Sequence, residues 1–175
     1  MREAKKTMQK LENIIVNDIS TTGSKAREFA WELYKAKDSM KSIALFDAAA
    51  SLHKNKDAEK SALTGMSECV SKMHSVCKDL PGVEDNKKRL VREHVINVMR
   101  DIHNDMEKVT TGDEKVKCRK LVQVLGLISQ TEDEAGKRDK AEKTFRSAEA
   151  RLKKTFVNEA EYQKVYSEIL NKLNN

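Results

Sequence analysis

The sequence predicts an all-α protein, and three observations lead to that prediction. Apolar side chains recur about every 3.6 residues, as they do on one face of an α-helix, and no segment sustains the period of two that is typical of a half-buried strand. The 175 residues include one proline and six glycines, too few for the many turns of a sheet protein. Charged residues make up 35% of the chain and aromatic residues 5%, a composition that favours helices with solvated faces.

The chain length fits one domain with a short leader. Residues 1–23 are predicted to form a short amphipathic helix and a turn, because Met8, Leu11 and Ile15 share one side of that helix. Residues 24–175 are predicted to form a single helical domain. At the boundary, Gly23 suits the residue after a helix and Ser24 suits the cap of the next one.

A single long helix is predicted over residues 24–80. Apolar residues stay in phase across five helical turns, as Leu45 and Leu63 do, and no strong helix breaker separates them. Pro81 and Gly82 then end the helix, because proline cannot continue it and glycine relieves the turn. At 1.5 Å per residue such a helix would be about 85 Å long.

The second half of the chain holds two further breaks. A helix is predicted to begin near Glu84 and to stop at residues 110–112, where Asp113 caps a restart. Residues 131–143 contain no large apolar residue, and Gly136 favours a turn there. One last helix is predicted from residue 145 to residue 173.

Two architectures fit these elements. The chain forms either long antiparallel helices in a three-helix coiled coil or a compact four- to five-helix bundle. The length of the first helix decides between them, since a compact monomer of this size has a radius of gyration of about 16 Å.

The sequence offers no motif for catalysis or for metal binding. It has no nucleophile elbow, no glycine-rich phosphate loop and no paired short-spaced ligands of a zinc site, so we expect a non-enzymatic protein without a cofactor. Cys69 and Cys77 flank or join an apolar stripe and are expected to pack as small hydrophobic residues. Three cysteines make no secreted disulfide framework, so a cytoplasmic location is expected.

Positive charge is the strongest functional signal. Lysine and arginine total 34 against 28 acidic residues, a net charge of +6, and the excess is concentrated in two segments near residues 115–120 and 137–154. If the chain turns near residues 130–140, these segments run side by side on adjacent helices. Such a patch suits anionic lipid headgroups or nucleic-acid phosphates. The predicted lipid-binding residues are Lys115, Lys117, Arg119, Lys120, Lys137, Arg138, Lys140 and Lys143.

The pattern as a whole resembles a BAR domain. The resemblance lies in a long first helix that ends at Pro81-Gly82, a second helix that opens with KKRLVREHVINVMRDI from residue 87, and a charged tip followed by KRDKAEKTFRSAEARLKKTF from residue 137. It implies three long antiparallel helices, a crescent-shaped dimer and binding to curved anionic membranes through basic residues. Two features depart from the family: the third helix is short, and Thr110-Thr111-Gly112 breaks the second helix.

The sequence therefore gives three hypotheses of function. The first is a homodimeric scaffold, peripheral to membranes, that binds anionic lipid through the eight basic residues. The second is a helical protein-interaction module with no lipid role. The third, nucleic-acid binding, is weaker because few aromatic residues accompany the basic ones for base stacking.

Overall fold

The computed structural model describes residues 22–175, which form seven α-helices and one short 3₁₀ turn with no strand. The all-α prediction is confirmed, and the helices pack as a compact bundle. The predicted leader helix lies outside the described residues. The helices are α1 (Gly23–Lys35), α2 (Ser39–Lys56), α3 (Glu59–Asp79), α4 (Lys88–Glu107), α5 (Glu114–Glu134), α6 (Arg138–Thr155) and α7 (Glu159–Asn174), and the 3₁₀ turn is Asp85–Lys87.

The prediction of one helix over residues 24–80 is wrong, because the chain reverses twice within it. Lys37 adopts a left-handed backbone conformation, with φ of 61°, and ends α1. Asp38 then caps α2 by accepting a hydrogen bond from the backbone amide of Lys41. Asp57 and Ala58 are extended and separate α2 from α3. The long antiparallel helices of the coiled-coil alternative are therefore not confirmed, and four to five helices is too low a count for residues 22–175.

Two smaller predictions also fail in position. The last helix divides at residues 156–158, where Asn158 caps α7 by accepting from the amide of Glu161. Thr22 caps α1 in place of Ser24, and Gly23 is its first helical residue. The break at 110–112 and the cap at Asp113 are confirmed, since the Asp113 carboxylate accepts from the amide of Val116.

The helical hairpins α1–α2 and α5–α6 share one geometry. Equivalent residues are 99 apart in sequence: α1 and α5 end at Lys35 and Glu134, and α2 and α6 begin at Ser39 and Arg138. The three backbone hydrogen bonds that close one turn recur in the other at the same spacing. They are Ala36 N to Glu32 O, Lys37 N to Tyr34 O and Asp38 N to Leu33 O in the first turn, and Ala135 N to Thr131 O, Gly136 N to Asp133 O and Lys137 N to Glu132 O in the second.

Small residues let the two helices of each hairpin approach closely. Ser42 Oγ donates to the carbonyl of Ala30 at 2.8 Å, and Ser129 Oγ donates to the carbonyl of Ala141 at 2.7 Å. The two serine–alanine pairs occupy equivalent positions with the donor on opposite helices. The shared geometry therefore depends on a small residue at each crossing, whichever helix supplies the serine.

The helices form two layers, and consecutive helices alternate between them. Helix α1 contacts α3, α3 contacts α5, and α5 contacts α7, and we call these four helices the front layer. Helices α2, α4 and α6 pack behind it, each against its neighbours in sequence. This stacking of helix pairs gives each unit contacts mainly with the next, as in helical solenoids.

One apolar core runs between the layers. Phe46 and Leu33 are fully buried in the first hairpin, and four methionines (Met66, Met73, Met99 and Met106) fill the middle of the core. Cys69 and Cys77 are also buried there, which confirms that they pack as hydrophobic residues. Burial raises the pKa of both thiols to about 12, so they stay protonated.

Candidate functional site

The structure places the eight predicted basic residues in two separate groups. One group lies on the first two turns of α5 and the other at the α5–α6 turn, at opposite ends of a helix of 21 residues. The separation along the helix is roughly 25–30 Å at 1.5 Å per residue. The chain does turn at Gly136, as predicted, but the second group lies beside this turn, so the length of α5 separates it from the first group.

Three residues of the first group have partners within the protein. Lys115 Nζ lies 2.8 Å from Glu161 Oε1 and Arg119 Nη1 lies 2.9 Å from Glu168 Oε2, and both pairs join α5 to α7. Lys117 is buried, and its Nζ donates to the backbone carbonyls of Glu107 at 2.6 Å and Val109 at 2.8 Å. Its ammonium therefore closes the end of α4, where the helix dipole is negative.

The second group is more open to solvent. Lys137 contacts Glu93 at 3.6 Å, whereas Arg138 is 92% exposed and reaches Asp133 only at 4.0 Å. Lys140 and Lys143 are exposed and form no ion pair with any residue between 22 and 175. We call Arg138, Lys140 and Lys143 the turn patch.

Lys120, the remaining predicted residue, lies at a cleft between α5 and α7. The cleft has a volume of about 250 Å³. Lys172 of α7 also lines it, and neither lysine makes an ion pair in the described part of the chain. Burial lowers the pKa of Lys120, and repulsion from Lys172 lowers it further. The other residues that line this α5–α7 cleft are Val116, Arg119, Gln123, Glu168 and Ile169.

A second cleft, of about 320 Å³, lies between α1 and α3 at the end of α2. His53 forms its buried wall, and its Nδ1 lies 2.7 Å from Asp57 Oδ2. Arg27 is half-buried and has no ion pair with the residues described. The other residues that line this α1–α3 cleft are Ser24, Lys60, Ser61, Thr64, Gly65 and Glu68.

The two clefts belong to one face of the molecule, the front layer. Glu68 lines the α1–α3 cleft and also attracts the Lys120 ammonium of the α5–α7 cleft, so the two sites are electrostatic neighbours across α3 and α5. One turn further along, Lys72 of α3 lies over the ring of Trp31 of α1, with 4.4 Å from Nζ to the ring centroid. The front layer thus carries cationic groups and a partly buried tryptophan across its helices.

Sequence reasoning missed Arg27, His53 and Lys172. The spacing of His53 and Asp57, four residues apart on a helix, was the available signal for a paired imidazole. No such signal existed for Lys172, because its importance comes from facing Lys120 across 52 residues of chain.

Two further properties bear on the chemistry of the site. No group of three or more histidine, cysteine or acidic side chains suited to a metal ion occurs between residues 22 and 175. None of the helices in that range is long and apolar enough to cross a bilayer. Comparison of the chain with family models, curated proteins and solved structures gave no match.

Proposed function

We propose that this protein is a non-enzymatic helical scaffold that binds an acidic segment of a partner protein on its front layer. The observation that carries the proposal is the facing pair of Lys120 and Lys172 at the α5–α7 cleft, which no carboxylate in the described chain neutralises by an ion pair. Two ammonium groups that repel each other lower their energy when an anionic group comes between them.

The surroundings of this pair favour a polypeptide as the anion. Ile169 and Val116 line the same cleft and give apolar contact beside the two ammonium groups. A protein interface typically combines such an apolar centre with a polar rim. Trp31 extends the surface on α1, and tryptophan is among the residues that contribute most to binding at interfaces.

The shape of the site separates this proposal from a lipid role for the same residues. A cleft between two helices admits a side chain or a short segment, whereas a membrane surface contacts protruding groups. Lys115 and Arg119 beside the cleft are already paired with carboxylates of α7, which reduces the net positive charge available to a bilayer.

The test is a selection of short random peptides on the immobilised protein, followed by affinity measurement of the selected peptides. We expect enrichment of aspartate and glutamate, and binding that weakens with salt. The double variant Lys120→Glu with Lys172→Glu should bind the selected peptides at least about tenfold more weakly than the parent protein, because it replaces attraction by repulsion.

The matched control is Lys140→Glu with Lys143→Glu, which makes the same change in net charge at the opposite end of α5. This control should bind the peptides like the parent protein. Equal loss in both double variants, or no acidic enrichment, contradicts the proposal.

The turn patch supports a second candidate, docking on anionic membranes, which is also what the BAR-domain resemblance implies. Arg138, Lys140 and Lys143 project from one end of the bundle, and each basic residue near an anionic surface contributes about 1 kcal/mol. In co-sedimentation with anionic and neutral liposomes, this candidate predicts that the Lys140→Glu, Lys143→Glu protein loses binding and that the cleft variant keeps it. Absence of sedimentation with anionic liposomes at about 0.1 M salt contradicts it.

A further inference from the structure

The imidazole of His53 sits in a slot between two glycines on different helices. Gly23 of α1 lies on one side of the ring and Gly65 of α3 lies on the other. A Cβ atom at Gly23 would be 2.5 Å from the ring carbons and 2.6 Å from Nε2, and one at Gly65 would approach Nδ1 more closely still. Any larger residue at either position would therefore collide with the ring, so both flanking residues must be glycine for His53 to keep this position.

One ring nitrogen of His53 has a hydrogen-bond partner, and the other has none among residues 22–175. Nδ1 pairs with Asp57 at 2.7 Å, which fixes the orientation of the ring. Nε2 is buried, since His53 is only 3% exposed, and it has no hydrogen-bond partner in the described part of the chain. Buried polar groups in native proteins are nearly always paired, so an unpaired nitrogen at the wall of a cleft indicates a group that binds there.

The equivalent hairpin shows that packing does not require a histidine at this position. Leu152 of α6 occupies the place of His53 and is fully buried. Val122 stands where the first hairpin has Gly23, and Phe156 stands where it has Asp57. The first hairpin thus replaces an apolar set by a histidine, its carboxylate partner and two glycines in the same backbone geometry.

Hydrogen-bond donors surround the cleft that His53 lines. The first turns of α1 and α3 both face it, through Ser24 and Ser61. Ala58, the residue before α3, supplies no side-chain cap to the first amides of that helix. Helix N-termini favour anions for this reason. Arg27 adds a planar cation that has no ion pair among residues 22–175.

The charged groups that face the cleft from the other side also limit the ligand. Lys60 forms an ion pair with Asp113, with 3.6 Å between Nζ and Oδ2, and Thr64 adds a hydroxyl to the lining of the cleft. Asp57 is engaged by His53, whereas Glu68 is exposed at the edge of the cleft and forms no ion pair with a residue between 22 and 175. The donors therefore outnumber the two oxygens of a carboxylate, and a phosphate group, with three terminal oxygens, uses more of them.

We propose that the α1–α3 cleft binds the phosphate group of a phosphate monoester, with Arg27 and Nε2 of His53 as its principal contacts. Nε2 donates to a phosphate oxygen when it is protonated and accepts from a protonated phosphate oxygen when it is not. The proposal does not depend on the acidic partner, because it concerns a different cleft and a single anionic group. The group comes either from a small phosphate ester or from a phosphorylated side chain.

The experiment is a titration of the ¹⁵N-labelled protein followed by NMR, at constant ionic strength. Inorganic phosphate, O-phosphoserine and acetate are the three probes. Phosphate and O-phosphoserine should shift the His53 ring signals and the amide signals of Ser24 and Ser61, and acetate should not. A response to O-phosphoserine supports the monoester site, and a response to inorganic phosphate without a response to O-phosphoserine would contradict it.

Two variants and one control make the assignment specific. His53→Leu introduces the residue of the equivalent hairpin and keeps the packing, while Arg27→Gln keeps the helix and removes the cation. Each should weaken phosphate binding about tenfold or more, as expected for the loss of a charge-assisted hydrogen bond. Lys172→Gln, at the other cleft, should leave phosphate binding unchanged and weaken peptide binding, so the two proposals fail separately. Unaltered Ser24 and Ser61 shifts in the parent protein, or phosphate binding by both variants that is as tight as binding by the parent protein, would overturn the phosphate site.

Discussion

Lys117 gives the sharpest test of the structure, because the lipid hypothesis from sequence and the observed contacts predict different results for it. As a surface residue of a basic patch, it should tolerate substitution without loss of stability. The structure instead buries it to 8% exposure and directs its Nζ to two carbonyls at the end of α4. We therefore expect Lys117→Met to destabilise the fold.

The magnitude follows from the two hydrogen bonds. Each bond from a charged donor contributes about 1.5–3 kcal/mol, and the cost of burying the ammonium offsets part of that sum. Methionine keeps the apolar stem in place, so a net loss of about 2–3 kcal/mol is expected. For a chain of this length that loss lowers the melting temperature by roughly 4–12 °C.

The assay is urea unfolding followed by circular dichroism, with Lys115→Met as the control on the same helix. Lys115 is 56% exposed and contacts Glu161 in solvent, so its loss should change the free energy of unfolding by less than about 1 kcal/mol. If the free energies of unfolding of both variants agree within about 0.5 kcal/mol, the buried contact does not hold the end of α4, contrary to the structure.

Three further predictions concern other buried groups. Arg100→Ala should lower the free energy of unfolding, measured in urea, by about 3 kcal/mol, because it leaves the fully buried Glu132 carboxylate without its cation. Glu132→Leu should lower it by less than about 1 kcal/mol. The reverse order would contradict the assigned ion pair. Burial lowers the pKa of His74 to about 4, so at pH 5 the unfolded chain takes up a proton that the folded chain does not. From pH 7 to pH 5 the free energy of unfolding of the parent protein should therefore fall by about 2 kcal/mol more than that of His74→Gln. Parallel pH profiles of the two proteins would refute this. Gly65→Ala should destabilise the fold and His53→Ala should relieve part of that cost in the double variant, while strict additivity would show that the ring does not fill the slot.

The sequence predicted the helical class and several breaks because each has a local cause. Pro81 and Gly82 cannot continue a helix, and Gly82 has φ of 81° and lies against the carbonyl of Lys37. Asp113 and Gly136 carry the chemistry of a cap and of a turn. A short polar side chain or a glycine announces these positions in any context.

The break at residues 36–38 has only the capping side chain of Asp38 as a local signature. Ala36, Lys37 and Asp38 include neither glycine nor proline, and Lys37 takes a left-handed conformation that lysine rarely adopts alone. The tertiary contacts supply the reason, since the Pro81 carbonyl accepts from Ser39 Oγ at 2.6 Å. Apolar periodicity did not reveal the reversal either, because two antiparallel helices that face one core continue the same repeat.

The equivalence of the two hairpins was also hidden from sequence. Residues 23–57 and 122–156 share only five identities, which are Ala36 with Ala135, Lys41 with Lys140, Phe46 with Phe145, Ala49 with Ala148 and Lys54 with Lys153. Backbone geometry persists because it needs small residues at the crossings and one residue in the left-handed region, and several side chains meet those needs. The basic residues were located correctly along the chain, but their partners in α7 come from residues 40 to 50 positions away.

The most direct test of the proposed binding face is an NMR map of the ¹⁵N-labelled protein with an acidic peptide from the selection. We expect amide shifts concentrated at residues 116–123 and 168–172, with smaller shifts on α3 near Glu68. Shifts concentrated at residues 137–143, or on the helices behind the front layer, would contradict it.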